Sequence, residues 1–145
     1  MVNRDISHMN RKVLIVDDDS NLLASLRRRL SRNYSVATAL SAEEGLELLR
    51  SEGPFAVIIS DQRMGRMDGI DFLTEVRQLA PDSARMMLTG NVSLQLANDA
   101  INDAGAFRFL VKPCEHDVLV AAIEDGLVHY AESVDVTDSE QARVA

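Results

Sequence analysis

The stretch KVLIVDDD, residues 12–19, runs an unbroken apolar segment into three consecutive carboxylates, and AVIISD, residues 56–61, repeats the pattern with one, Asp61. Apolar runs without polar alternation fit strands covered on both faces, as in a parallel sheet flanked by helices. If the two runs are strands of one such sheet, Asp17, Asp18 and Asp61 meet at its C-terminal edge. Open α/β sheets place their ligands there, and clustered carboxylates at that edge form a hard-oxygen cation site.

Outward from these runs, short β-prone segments alternate with helical periodicity from Lys12 onward. This is the signature of βαβ units, and five of them fit. The first helix is expected to start near Ser20 as N-cap, with Leu22, Leu23, Leu26 and Leu30 on one face. A strand over 34–39 follows. Ser41-Ala42-Glu43-Glu44 reads as a capping box opening a second helix, which Gly53-Pro54 stops. After the strand at 56–60, a Met-Gly-Arg-Met-Asp-Gly loop leads to a helix near 70–80, ended by Pro81. A strand at 84–89, a helix carrying Leu94, Leu96, Ala97, Ala100 and Ile101 and closed by Gly105, and a strand at 107–111 come next. The last helix is expected from about 115 to 130, with Val118, Leu119, Ala122, Ile123 and Leu127 inward.

The chain of 145 residues is 46% hydrophobic, enough for one domain with a proper core. The expected organisation is a flexible lead-in at 1–11, a single α/β domain at 12–131, and a disordered tail or linker stub at 132–145, where the polar sequence offers no face to bury. A net charge of −8 argues against nucleic-acid and anionic-membrane partners, which require clustered positive charge. One cysteine, no leader-like segment and no membrane-length apolar run together give a cytoplasmic expectation.

Collecting the residues at strand C-termini gives Asp17, Asp18, Asp61, Thr89 and Lys112, a set suited to phosphoryl transfer onto a carboxylate. Mg²⁺ takes oxygen ligands, so Asp18, Asp61, a backbone carbonyl just after Asp61 and waters would satisfy it, with Asp17 holding one of the waters. A Thr89 hydroxyl and a Lys112 ammonium would hold the equatorial phosphoryl oxygens. Asp19 fits better as a carboxylate opposing the dipole of the following helix. Lys112 stands out because Lys12 is the only other lysine of the chain.

Taken in register, VLIVDDD (13–19), VIISDQRMGRMDG (57–69), MLTG (87–90) and FRFLVKP (107–113) resemble the receiver domain of two-component response regulators over roughly residues 11–131. The resemblance implies a doubly wound, flavodoxin-like parallel sheet in strand order 2-1-3-4-5 with five flanking helices. It makes Asp61 the phosphoacceptor, Asp17 and Asp18 the acidic pair, Arg63 the carbonyl donor to Mg²⁺, Thr89 and Lys112 the phosphoryl-binding pair, and Thr89 and Phe109 the switch residues. It implies a phosphorylation switch that catalyses only its own phosphorylation and dephosphorylation. A sensor histidine kinase, phosphotransfer protein or small phosphodonor would supply the group. The output would pass through the surface of the fourth helix, fifth strand and fifth helix to an effector protein or domain, with dimerisation a further expectation. One departure stands out: the family commonly has proline four residues after the acceptor, and Gly65 occupies that place, which predicts a more mobile or differently shaped loop.

The rival expectation is a small haloacid-dehalogenase-type phosphatase. There Asp17 would be nucleophile and Asp19 acid, with Thr89 and Lys112 resembling that family's later motifs. It lacks a second acidic pair at the right distance beyond Lys112, and it leaves Asp61 without a role. Cys114 reads as a small packed residue. His8, His116 and His129 lack metal-ligand spacing.

Overall fold

The computed structural model describes residues 9–144. Five parallel strands, β1 (Lys12–Val16), β2 (Ser35–Ala39), β3 (Val57–Ser60), β4 (Ala84–Thr89) and β5 (Arg108–Val111), form one sheet in the order β2-β1-β3-β4-β5. The intervening helices are α1 (Ser20–Leu30), α2 (Ala42–Glu52), α3 (Gly69–Leu79), α4 (Leu94–Asn102) and α5 (His116–Val144). The fold class is the one expected.

Strand alternation divides the core into two layers. Val13 and Ile15 of β1 pack with Val57 and Ile59 of β3 against α1 and α5, through Leu23, Leu26, Leu119 and Ile123. Leu14, Val16 and Ile58 point the other way, onto α2 and α3 through Leu46, Leu49, Phe72 and Val76. Both faces are dry, which explains why these strands carry no polar alternation. Hydrogen bonding beyond the strand ends sets the register of the acidic residues: Asp17 N–H donates to the Ala39 carbonyl at 3.1 Å and Asp61 N–H to the Val16 carbonyl at 3.0 Å.

Local chemistry sets the helix starts. Ser41 Oγ accepts from Glu44 N–H at 3.1 Å as the expected N-cap, while Glu44 Oε2 accepts from Leu40 N–H at 3.0 Å, one residue before the N-cap N–H that a capping box reaches. The first helix differs: its N-cap is Asp19, whose carboxylate accepts from the N–H groups of Asn21 and Leu22, and Ser20 is the first helical residue. Aspartate accepts more strongly than serine and suits the positive helix end.

Three further expectations change. Leu94 and Ile101 are 79% and 56% exposed, so α4 buries only Leu96 and Ala100. Val118 is 49% exposed, because α5 presents a narrower apolar stripe centred on Leu119, Ile123 and Leu127. The segment expected as a disordered tail is helical through Val144 as a continuation of α5. Extending an existing helix avoids the cost of nucleating one, and Asp82 secures the extension by accepting from Ser133 Oγ at 2.6 Å and Thr137 Oγ1 at 3.3 Å. Of the expected lead-in, residues 1–8 lie outside the described residues. Asn10 and Arg11 are tied down, Asn10 Nδ2 donating to the Pro54 carbonyl at 3.1 Å and Arg11 Nε to the Asn33 carbonyl at 2.7 Å.

One buried charge organises the α4 end of the sheet. Arg85 of β4 is 8% exposed, and its guanidinium donates to the carbonyls of Ala104 (3.0 Å), Ser83 (2.9 Å), Pro81 (3.2 Å) and Gly105 (3.4 Å). Burial, then the neighbouring Arg77 charge, lowers its pKa. Gly105, at φ +62°, turns the chain directly beneath it. The carbonyls past the end of α4 thus find donors that the helix cannot supply. Arg85→Met keeps the apolar stem and strands those acceptors, and the expected cost is about 1–3 kcal/mol in urea unfolding. A loss confined to a few tenths would show that water replaces the guanidinium without penalty.

Candidate functional site

The sheet register delivers the site. Asp17 and Asp61 each follow the paired residues Val16 and Ser60, on the two neighbouring central strands. Thr89 ends β4, and Lys112, one residue past β5, donates its N–H to the Thr89 carbonyl at 3.0 Å. All four therefore gather at the C-terminal edge, beside the point where the strand order reverses.

An ion-pair triangle dominates the geometry. Lys112 Nζ lies 2.6 Å from Asp17 Oδ2 and 3.2 Å from Asp61 Oδ2. Each carboxylate also takes a backbone donor on its other oxygen: Asp17 Oδ1 from Asp19 N–H at 2.9 Å, and Asp61 Oδ1 from Gln62 N–H at 2.7 Å. Asp17 is 3% exposed. Its burial raises the carboxyl pKa, outweighing the lowering by Lys112 and by the Asp19 N–H, and the Asp61 charge adds to the rise. Burial alone would lower the pKa of Lys112. Asp17 and then Asp61 reverse this, so the ammonium is held above its ordinary value.

Asp18, exposed at the rim, completes an acidic cluster: Asp17, Asp18 and Asp61 each present an oxygen, and these atoms lie within 4.8 Å of one another. Three carboxylates against one ammonium leave net negative charge, and like charges so close repel unless a cation joins them. An all-oxygen set of this kind suits Mg²⁺ rather than a soft metal. Beside the cluster, Asp61, Arg63, Thr89, Gly90, Asn91 and Lys112 line an open cleft of about 450 Å³. Thr89 is buried, and its Oγ1 accepts from Asn91 N–H at 3.2 Å, which leaves the hydroxyl hydrogen free to turn toward the cleft.

The structure brings together Asp17, Asp18, Asp61, Thr89 and Lys112, with Arg63 on the cleft wall. Phe109 stands apart on β5, half-buried against the α2–α3–α4 core layer. Lys12, the other lysine, is remote from this edge: its ammonium donates to the Glu52 carbonyl and lies 4.9 Å from the Phe55 ring centre. Asp19 caps α1 through Oδ1, the helix-end role expected for it.

Sequence reading passed over Gln62, which contacts the acceptor loop at several points. Its only sequence signal is its place beside Asp61. The Gly65 departure is resolved as a difference of shape: this residue adopts φ +95°, which proline, fixed near −65°, cannot reach.

The response regulator receiver domain family model matches residues 13–124. The transcriptional regulatory protein GlrR of Escherichia coli is 40% identical over 131 residues, covering 90% of this chain and 29% of that protein. A solved chain described as adenylate cyclase from Rhodopirellula baltica superposes with a TM-score of 0.82 at 38% identity, covering 94% of this chain and 98% of that one. A CheY-like receiver domain protein from Methanospirillum hungatei gives 0.80 at 31% identity, covering 84% and 97%. None of these findings supports the phosphatase alternative. Among the described residues no helix is long and apolar enough to cross a membrane. With the strand order, the acidic edge and the family match in agreement, this chain belongs to the response regulator receiver domains, the phosphoryl-accepting switches of two-component signalling.

Proposed function

We propose that Asp61 is the phosphoacceptor of this switch. The observation that carries the reading is the Lys112 ammonium held between Asp17 and Asp61, with buried Thr89 on the wall of the same cleft. An Asp61 carboxylate oxygen forms the new bond to phosphorus. The phosphorus–nitrogen bond of a phosphohistidine, or the phosphorus–oxygen bond of an acyl phosphate, breaks, and its electron pair leaves with the donor. Lys112 and the Thr89 hydroxyl stabilise the equatorial oxygens as charge spreads over them. Asp18, Asp61 and the Arg63 carbonyl, with Asp17 through water, would hold Mg²⁺, whose charge when bound offsets the repulsion between carboxylate and phosphoryl group. Attack of water on phosphorus breaks the phosphorus–oxygen bond to Asp61, releasing inorganic phosphate and the free carboxylate, and the exposed Arg63 side chain on the cleft wall would govern that access. These steps are self-directed, and they leave the chain a signalling domain rather than an enzyme acting on others.

Drawing the Thr89 hydroxyl toward a phosphoryl oxygen frees space under α4, and Phe109 turns inward to fill it. Phenylalanine has no hydroxyl to bond in either state, so the switch rests on apolar packing and the two states lie close in energy. The α4–β5–α5 face, with exposed Ile101, Val111 and Val118, is then the output surface for an effector protein or domain or a second copy. A sensor histidine kinase or phosphotransfer protein in the cytoplasm would supply the phosphoryl group. The expectation of no nucleic-acid partner does not extend to longer proteins containing such a chain, because it spans only 29% of a relative named a transcriptional regulatory protein.

Acetyl phosphate with Mg²⁺ is expected to add one phosphoryl group, located on Asp61 by mass spectrometry and absent from Asp61→Asn. Modification of Asp17 in its place would overturn the assignment. Mg²⁺ is also expected to stabilise the folded protein, by about 2.7 kcal/mol at a hundredfold excess over its dissociation constant. Asp18→Asn should shift that response to higher Mg²⁺, and superposable titrations would remove Asp18 from the site. The raised pKa of Asp17 sets a third expectation, about pH dependence without divalent cations. With its folded-state value above the ordinary 3.8, its contribution to stability is greatest below pH 3.8 and falls as pH rises through the folded value. The stability of Asp17→Asn relative to wild type should therefore climb from acid toward neutral pH, as read from urea midpoints. A flat difference would contradict the buried-carboxyl account.

A further inference from the structure

Gln62, the residue after Asp61, makes contacts in three directions. Its N–H donates to Asp61 Oδ1 at 2.7 Å, its carbonyl accepts from Gly69 N–H at 2.9 Å, and its side-chain Oε1 accepts from Ile70 N–H at 3.0 Å. The two accepted hydrogens belong to the first turn of α3, where N–H groups have no helical carbonyl to reach. Asp68, the N-cap, takes a third, from Asp71 at 2.9 Å. Gln62 thus caps α3 from the far end of the acceptor loop.

Between these contacts the loop is anchored at Met64 and open around Gly65. Gly65 sits at φ +95° with open space around it, and no side chain braces the backbone there. Met64 is buried against the α2–α3 core layer. At the closing end, a Cβ on Gly69 would fall 2.2 Å from the Asp61 carbonyl oxygen, so the chain there runs hard against the acceptor's own backbone. The bonds of Gln62 span this closure, and with Ser60 Oγ donating to the Asp61 carbonyl at 2.7 Å they hold the 61–62 peptide in place.

The position of that peptide decides how Asp61 presents itself. A carboxylate rotates over a broad range about its terminal torsion. Here one oxygen is held by the Gln62 N–H and the other by Lys112, and these two donors on separate frames select one orientation. We infer that Gln62 is a positioning residue for phosphoryl acceptance: by clamping its peptide onto the start of α3, it aims the acceptor carboxylate at the incoming phosphorus. The inference rests on Asp61 being the acceptor. A group held slightly off the attack geometry reacts more slowly even where binding is unchanged.

The test uses the whole chain with Gln62→Met, which keeps the shape and loses the acceptor oxygen, and Gln62→Glu, which keeps an acceptor at a helix end that favours negative charge. Acetyl phosphate with Mg²⁺ is the probe. Gln62→Met is expected to lower the maximal phosphorylation rate about five- to tenfold, with little change in the half-saturating phosphodonor concentration. In metal-free protein its residue-62 amide should shift in the nitrogen–proton spectrum and exchange faster with solvent. Gln62→Glu should restore rate and exchange protection. Three results would overturn the inference: an unchanged maximal rate, a fall that only tracks the unfolded fraction, or no recovery in Gln62→Glu. Phosphorylation of wild type at a residue other than Asp61 would overturn the acceptor assignment as well, whereas Asp61 modification at equal rates in wild type and Gln62→Met would overturn this inference alone.

Discussion

Like-charge repulsion at one sheet edge is the constraint around which this molecule is arranged. The parallel register places Asp17 and Asp61 side by side, and Asp18 adds a third carboxylate at the rim. A lone pair of buried carboxylates would shed charge by taking up a proton. Lys112 limits that by lying within hydrogen-bond distance of both, and backbone N–H groups at residues 19 and 62 take the remaining oxygens. The balance stays incomplete: one ammonium against three carboxylates leaves an edge that favours a divalent cation.

Much of this was legible in the chain. Val13 to Val16 and Val57 to Ser60 are apolar at every position except Ser60 because both faces of the sheet are covered, and a run of that composition and length fits a fully covered strand. The residues that follow such runs must emerge at the strand ends, so Asp17, Asp61, Thr89 and Lys112 could be gathered from sequence order alone. Ser41 announced its helix as N-cap and the structure retains that bond, with Glu44 reaching back to Leu40 rather than to Ser41.

What escaped the sequence depends on distance or on competition between neighbours. Asp19 and Ser20 are both good caps, and the choice between them turns on where β1 releases the chain. The run after Tyr130 has no apolar stripe, so nothing local predicts helix; its support comes from Asp82, some fifty residues earlier, through Ser133 and Thr137. Gln62 is an ordinary polar residue until the loop closes and sets Ile70 beside it. Arg85 looks like a surface arginine in an otherwise apolar strand, and only the folded chain shows the carbonyls past α4 that draw it inward.

The continuous α5 carries a mechanical consequence. From His116 to Val144 it is 29 residues without a break, and the 14 beyond Tyr130 project about 20 Å past its apolar stripe at 1.5 Å per residue. A helix of that length behaves as a rod pivoting where it leaves its support, here near Asp82. Counted from Ser133, Val144 lies about 16 Å along the rod and Ile123 about 15 Å the other way, so a tilt of about 10° displaces both by about 3 Å in opposite senses and repacking under Ile123 reaches Val144 at nearly full size. The stiffness that carries this motion resides in backbone hydrogen bonds, and an inserted glycine pair would convert the lever into a tether.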